Sequence, residues 1–184
     1  MKKYTLISFL FVALCATPAS ALTPYFSAGM TTGINNSGAH ASTAYSTLWT
    51  ITGGVRYSLN DNVSMRNEIE FATSEYTFSY ASYEYDTRTK IYLGNVIAEF
   101  RPYGFNSGLY AGVSAGTTNY ETTQKRPTPA PATEHSTFTY GAMVGVNVNL
   151  VAGLYIDLGL RYITNTDAGH DGNIVTTTGI HYGF

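Results

Sequence analysis

Gly179-Ile180-His181-Tyr182-Gly183-Phe184 closes the sequence. Gly179, His181 and Gly183 fall on one side of an extended chain, and Ile180, Tyr182 and Phe184 on the other. That two-residue period marks a β-strand whose faces meet different surroundings. An aromatic last strand of this kind is expected to close a barrel by pairing with the first strand, because a sheet in lipid leaves no unpaired edge.

The other end reads as an export signal. Lys2 and Lys3 supply the positive region, residues 4–16 the apolar run, and Ala19-Ser20-Ala21 a small-residue cleavage site. The apolar run is shorter than the about 20 residues that cross a bilayer, so removal after Ala21 is expected, leaving residues 22–184 as one domain. Cys15 is the single cysteine of the chain. Leu14 stands before it where an acylated signal has a small residue, which argues against a lipoprotein. The remainder then has neither disulfide nor thiolate ligand. Without Lys2 and Lys3 its formal charge is −4, which is no nucleic-acid footprint.

Alternation recurs along the rest of the chain. Strands are expected near 23–34, 47–58, 63–76, 89–101, 109–120, 137–149, 153–163 and 173–184, each reaching the about 9 to 11 residues of a tilted membrane strand. The connections alternate in length: 59–62, 102–108 and 150–152 are short, whereas 35–46, 77–88, 121–136 and 164–172 are long. Short periplasmic turns opposite long extracellular loops are the bacterial outer-membrane pattern. The fold expected is therefore an all-β, eight-stranded antiparallel transmembrane barrel, with outer-membrane lipid around it.

Assigning faces sorts the charges. In the second strand Trp49, Ile51, Val55 and Tyr57 point out and Arg56 points in. In the third, Val63, Met65, Asn67, Ile69 and Phe71 point out, leaving Ser64, Arg66, Glu68 and Glu70 inside. Tyr92, Val96, Ala98 and Phe100 leave Glu99 and Arg101 inside, and the lipid-facing run from Leu154 to Tyr162 leaves Asp157 and Arg161 inside. Four arginines thus face four carboxylates in one lumen, where Arg–carboxylate pairing can offset desolvation. Such a set could be a gate or a catalytic carboxylate pair. Structural filling is the better reading, since an eight-strand interior is just wide enough for its own side chains. A wide pore needs about 16 strands; a narrow leak requires the network to rearrange. Aromatics at strand ends, among them Tyr57, Phe71, Phe100, Tyr162, Tyr182 and Phe184, fit interfacial girdles.

No catalytic, cofactor-binding or metal-binding residue is assigned. His40 and Ser42 have a spacing that a lipid deacylase could use on a strand, but they lie in a polar loop without an orienting acid in the sequence nearby. His135 beside Glu134, and His170 beside Asp171, read as solvated loop residues. His181 points inward and could join the lumen network. Gly112/Gly116 and Gly141/Gly145 alternate within strands, where they serve packing or lumen space rather than helix dimerisation.

Several segments resemble the opacity-type family of small outer-membrane barrels. They are Gly53-Gly54-Val55-Arg56-Tyr57 through Glu70-Phe71, Leu93-Gly94-Asn95 through Gly104, Gly108-Leu109-Tyr110-Ala111-Gly112, Gly153 through Tyr162, and the final strand. The resemblance covers nearly the whole chain after the signal. It implies eight strands at the cell surface, in a family whose members act as adhesins, surface antigens or envelope-stabilising proteins. In this architecture specificity belongs to the loops. The stretch from Glu75 to Asp86 carries Tyr76, Tyr80, Tyr83 and Tyr85, a composition suited to a host-cell or matrix ligand; equally, its tyrosines could pair across an extended hairpin. Lys125, Arg126, Pro127, Pro129 and Pro131 make the third long loop stiff and weakly basic. The function expected is a surface barrel presenting loops for adhesion or host interaction. The alternatives are an envelope-structural barrel without a ligand and a narrow ion-conducting pore.

Overall fold

A computed structural model describes residues 22–34, 45–102, 107–166 and 173–183. The signal segment, His40, Ser42, His170, Asp171 and Phe184 lie outside these residues. Eight antiparallel strands follow one another around a closed barrel: β1 (Thr23–Ile34), β2 (Tyr45–Ser58), β3 (Val63–Tyr80), β4 (Tyr83–Phe100), β5 (Ser107–Arg126), β6 (Thr133–Val151), β7 (Leu154–Asn165) and β8 (Asn173–Gly183). Closure is the β1–β8 ladder, which runs from Tyr25 opposite Gly183 to Gly33 opposite Val175.

Register fixes the barrel's shape. Stepping across paired residues from Thr23 through Arg56, Arg66, Ile97, Gly112, Met143, Arg161 and Val175 returns to β1 at Gly33, ten residues beyond the start. For eight strands that stagger tilts the chain about 40° from the axis and gives a backbone radius of roughly 8 Å, an interior that side chains can fill.

The strands differ in length for a physical reason. β1, β7 and β8 have 12, 12 and 11 residues, close to what crosses a bilayer at this tilt. β3 to β6 have 18, 18, 20 and 19, so at one end they stand roughly 15–20 Å beyond the others. Two long loops expected from sequence are therefore mostly strand. The 77–88 segment is a hairpin turning at Ala81-Ser82, and 121–136 keeps only the six residues between Arg126 and Thr133 as a connection. Thr, Tyr and Phe suit a pleated surface, so the ladder continues past the apolar belt. The turn escaped notice because Ala81, at φ 54°, occupies a left-handed position where Gly or Asn is the usual signal.

Around the outside runs an apolar belt with aromatic rims. Ile51, Ile69, Val96, Val113, Val144, Leu158, Leu160 and Ile180 are exposed in its middle, Phe26, Phe100 and Tyr182 near the short turns, and Trp49, Tyr92, Tyr140 and Tyr162 near the long hairpins. A continuous apolar surface of this extent calls for hydrocarbon. Asn67, expected on this face, is buried.

Inside, glycines make room for two tyrosine rings. Tyr110 on β5 lies in one register row with Gly145 and Gly159, and a Cβ at Gly159 would come within 2.2 Å of the Tyr110 hydroxyl. Tyr25 likewise covers Gly54, its cross-strand partner. Rings over glycines fill the lumen while each glycine is shielded by its neighbour's side chain. Gly159→Ala should cost about 1–3 kcal/mol through overpacking, and Tyr110→Phe, by removing the opposing hydroxyl, should return part of that loss. A double-mutant cycle of denaturant unfolding midpoints checks this coupling; independent effects would refute it.

Candidate functional site

Two regions concentrate polar chemistry: the lumen and the protruding hairpins. In the lumen Arg66, at 1% exposure, is the hub. Its Nη1 donates to Asp157 Oδ2 at 2.7 Å, and its Nε lies 3.2 Å from Glu99 and 3.3 Å from Glu68. Glu99 gathers Arg56 at 3.0 Å, the Ser64 hydroxyl at 2.9 Å and Arg101 at 3.8 Å. Asn147 donates to Asp157 at 2.9 Å and accepts from Arg101 at 3.2 Å. His181 Nε2 sits 2.8 Å from Asp157, and the Tyr25 hydroxyl donates to Glu68. Arg66 also packs against the Tyr110 ring at 5.2 Å, and Arg56 and Arg101 against Tyr155 at 4.6 and 4.9 Å. Cations over ring faces add to the ion pairs.

A second tier lies toward the hairpins. Arg161 grips Glu70 through both Nη atoms at 2.7 and 2.8 Å, and Asn95 donates to Glu70 and Glu68, joining the tiers. Between them is a cavity of about 50 Å³ lined by Arg66, Glu68, Glu70, Asp157, Arg161 and His181, room for a few waters. Two apolar clusters complete the filling: Ile97, Tyr110 and Met143, and Ala72, Ile91 and Leu93 with Leu48. Above them threonines bond across strands, as Thr118 with Thr139 at 2.6 Å and Thr87 with Thr122 at 3.2 Å.

The hairpins form a sheet standing free of the barrel. Pairing of β3 with β4 continues to Tyr80 opposite Tyr83, and of β5 with β6 to Thr122 opposite Thr133. Among the described residues β2 leaves β3 at Trp49 opposite Thr73, and β7 leaves β6 at Thr139 opposite Asn165. Alternation gives this crown two unlike faces. The face continuous with the outside of the barrel carries the ion pairs Arg88–Glu75 and Lys125–Asp86, and Arg126 reaches Glu84 at 3.5 Å. The face continuous with the lumen wall carries Tyr76, Tyr83, Tyr85 and Tyr120, and the Tyr83 and Tyr85 rings stack at 6.2 Å.

This geometry, a lipid-belted barrel with a filled lumen and a crown, meets the comparisons with known proteins. The outer membrane protein beta-barrel domain family matches residues 7–184. The chain belongs to that family. It is an outer-membrane barrel, so its short turns face the periplasm and its crown the outside of the cell. Neisserial surface protein A (NspA) shares the fold with a TM-score of 0.62 at 14% identity, over 91% of this chain and 100% of the other. Ail, the attachment invasion locus protein of Yersinia pestis, solved in complex with the heparin analogue sucrose octasulfate, gives 0.62 at 16% identity over 89% and 99%. A major outer membrane protein of Thermus thermophilus gives 0.52 at 11% identity over 88% and 99%. No curated protein matches the sequence.

All eight charged residues singled out from sequence meet in the outer-membrane barrel's lumen, with His181 beside them. The inward placement of Ser64 read from sequence holds, whereas sequence reasoning missed Tyr25, Asn95 and Asn147, and it missed the apolar clusters. Their inward placement follows from the same alternation, but an uncharged residue carries no signal by itself, and β4 is apolar on both faces. Of the crown residues, Tyr76 and Tyr85 are half-buried and Tyr83 is exposed; the side chain of Tyr80 is outside the description. Among the described residues no three His, Cys, Asp or Glu side chains could hold a metal ion.

Two predictions follow the geometry. Arg66→Ala removes the cation that Asp157, Glu99 and Glu68 share in the lumen and should lower unfolding stability by about 3–5 kcal/mol. Glu84→Ala in the crown should stay within about 0.5 kcal/mol of the parent. Equal unfolding midpoints in lipid vesicles would contradict the ranking. In the crown, the Lys125 ammonium and the Thr77 hydroxyl, which donates at 2.7 Å, hold the Asp86 carboxyl below its ordinary range. The same pair raises Lys125. Because Asp86 is depressed in the folded state, its contribution is present above the usual aspartate range and is lost as pH falls through the folded value. Carboxyl NMR should show that low titration, and Lys125→Met should move it up; an unchanged midpoint would rule the pair out.

Proposed function

We propose that this outer-membrane barrel presents its crown as an adhesive or host-interaction surface, with Tyr76, Tyr80, Tyr83 and Tyr85 as the binding residues. The observation carrying this reading is the crown itself. Four strands run beyond the apolar belt by far more than closure of the barrel requires, and they gather tyrosines on one face. Tyrosine combines apolar area, a polar tip and few rotatable bonds, which suits recognition surfaces. A filled lumen also leaves the outside of the barrel as the place where specificity can reside. Ail, which has the same fold, is described as an attachment invasion protein and was solved with a heparin analogue, in keeping with a surface role.

The proposal includes no catalytic step. Ion conduction is disfavoured by the Arg66-centred network and the two apolar clusters, which together obstruct the lumen between the periplasmic mouth and the threonine tier. The envelope-structural alternative differs in one observable, since it assigns no ligand to the crown.

The test shortens the hairpin. Replacing residues 77–86 by Asn-Gly keeps the Tyr76–Thr87 pair in register and leaves the lumen untouched. The variant should remain folded and heat-modifiable on a denaturing gel. Displayed on a non-adherent bacterium, the parent should bind host matrix or cells, and the shortened form should lose that binding because clustered tyrosine anchors dominate interface energy. Adhesion that survives the replacement would remove Tyr80, Tyr83 and Tyr85 from the proposal; no adhesion by the intact protein would favour the envelope-structural reading.

A further inference from the structure

The charges of the lumen are balanced as a whole but not evenly distributed along the axis. The cavity between the tiers is lined by three carboxylates, Glu68, Glu70 and Asp157, against the guanidinium groups of Arg66 and Arg161. A second cavity, of about 400 Å³, opens at the periplasmic mouth, and Arg56, Tyr25, Tyr155 and His181 line it together with backbone at Gly153. Among the described residues no side-chain carboxylate lines it. The carboxylate that Arg56 engages, Glu99, is fully buried behind it, whereas the Arg56 side chain keeps 14% exposure. Arg101, packed on the same Tyr155 ring and 28% exposed, adds a second partly open cation beside the mouth.

Donor capacity remains at this mouth. A guanidinium has five N–H donors, and among the described residues the polar contacts of Arg56 are to Glu99 alone. Arg101 Nε is a buried N–H donor without a hydrogen-bond partner among the described residues. The Tyr25 and Tyr155 rings supply apolar walls, and the volume falls in the range of small-ligand sites. A low-dielectric wall of this kind, with cations in front and their counter-charges behind, focuses positive potential toward the periplasm.

We propose that the periplasmic mouth of this barrel is a binding site for a small oxyanion, a carboxylate or phosphate group, held by Arg56, whose guanidinium packs on Tyr155. Two sources offer that chemistry: a soluble organic or inorganic anion, and the carboxylate of a periplasmic polymer such as a cell-wall peptide. The site lies at the opposite end of the barrel from the crown and stands or falls independently of the adhesive reading.

Thr23 provides a variant that spares the lumen network. It is exposed and sits directly across from Arg56 in the β1–β2 ladder, so Thr23→Glu places a carboxylate in front of that guanidinium, and Thr23→Gln is its uncharged counterpart. The experiment is amide NMR of the isotope-labelled full barrel in lipid nanodiscs. It is titrated separately with succinate, inorganic phosphate and a carboxylate-bearing cell-wall peptide fragment, with chloride at equal ionic strength as the control. Saturable shifts of the Gly153 and Gly183 amides are expected with at least one of the three and not with chloride. Thr23→Gln should bind as the parent does, and Thr23→Glu at least about tenfold more weakly, because like charge opposes the anion. A response to the fragment alone assigns the polymer as source, and a response to succinate or phosphate alone assigns a soluble anion. No saturable shift with any of them, shifts equal to those with chloride, or undiminished binding by Thr23→Glu would overturn the site.

Discussion

Inside hydrocarbon a backbone N–H or C=O has no water to turn to, so every strand of this chain must be paired on both sides for the height of the apolar belt. The β1–β8 ladder meets that demand, and the rest of the molecule is arranged around it. Eight strands at a stagger of ten fix the radius. The radius fixes how much side chain the interior must hold, and the interior then decides which residues can face inward. Glycines opposite Tyr25 and Tyr110 are one result: where a ring crosses the lumen, its register partners give up their side chains.

Charge balance is the second result. A lumen this narrow cannot hydrate a lone guanidinium, so the arginines and carboxylates are stabilised only as a closed set. The arrangement is layered rather than uniform. Arg161 and Glu70 satisfy each other in a two-pronged pair, while Arg66, Glu99 and Asp157 share partners among three arginines, an asparagine and a histidine. Shared partners make the lower tier cooperative, and removing one member affects several contacts at once. The apolar clusters beside it lower the local dielectric and thereby strengthen the same ion pairs. Both features oppose conduction and favour a rigid plug.

The fold was legible in the sequence because its decisive signals are local. Period-2 alternation, the positions of charged residues within strands and the spacing of turns each depend on a few neighbouring residues, and they placed Arg56, Arg66, Glu68, Glu70, Glu99, Arg101, Asp157 and Arg161 on one surface. Where strands end was less legible. Beyond the belt both faces of β3 and β4 meet water, so alternation between apolar and polar residues fades. Tyr and Thr then read equally well as loop or strand, and Ala81 gave no turn signal. Pairings such as Tyr25 with Glu68 were hidden for another reason. They join residues 43 apart in sequence, and only the barrel's stagger brings them together.

The crown is held by different forces from the barrel below it. Neither lipid nor a filled lumen supports it, so its order rests on the ladder, on cross-strand side-chain pairs and on exposed ion pairs that each contribute little. Its local stability is therefore expected to lie well below that of the spanning region, and the two can change separately. That separation has a functional consequence. Substitutions on the tyrosine face alter what the crown can contact without disturbing the Arg66 network, and substitutions in the lumen alter stability without reshaping the crown. The ion pairs on the opposite face, Arg88–Glu75, Lys125–Asp86 and Arg126–Glu84, largely neutralise one another, so among the described residues these pairs leave no unopposed cluster of positive charge. On the proposed adhesive reading, contact area and hydrogen bonding through tyrosine, rather than attraction of a polyanion, would carry recognition.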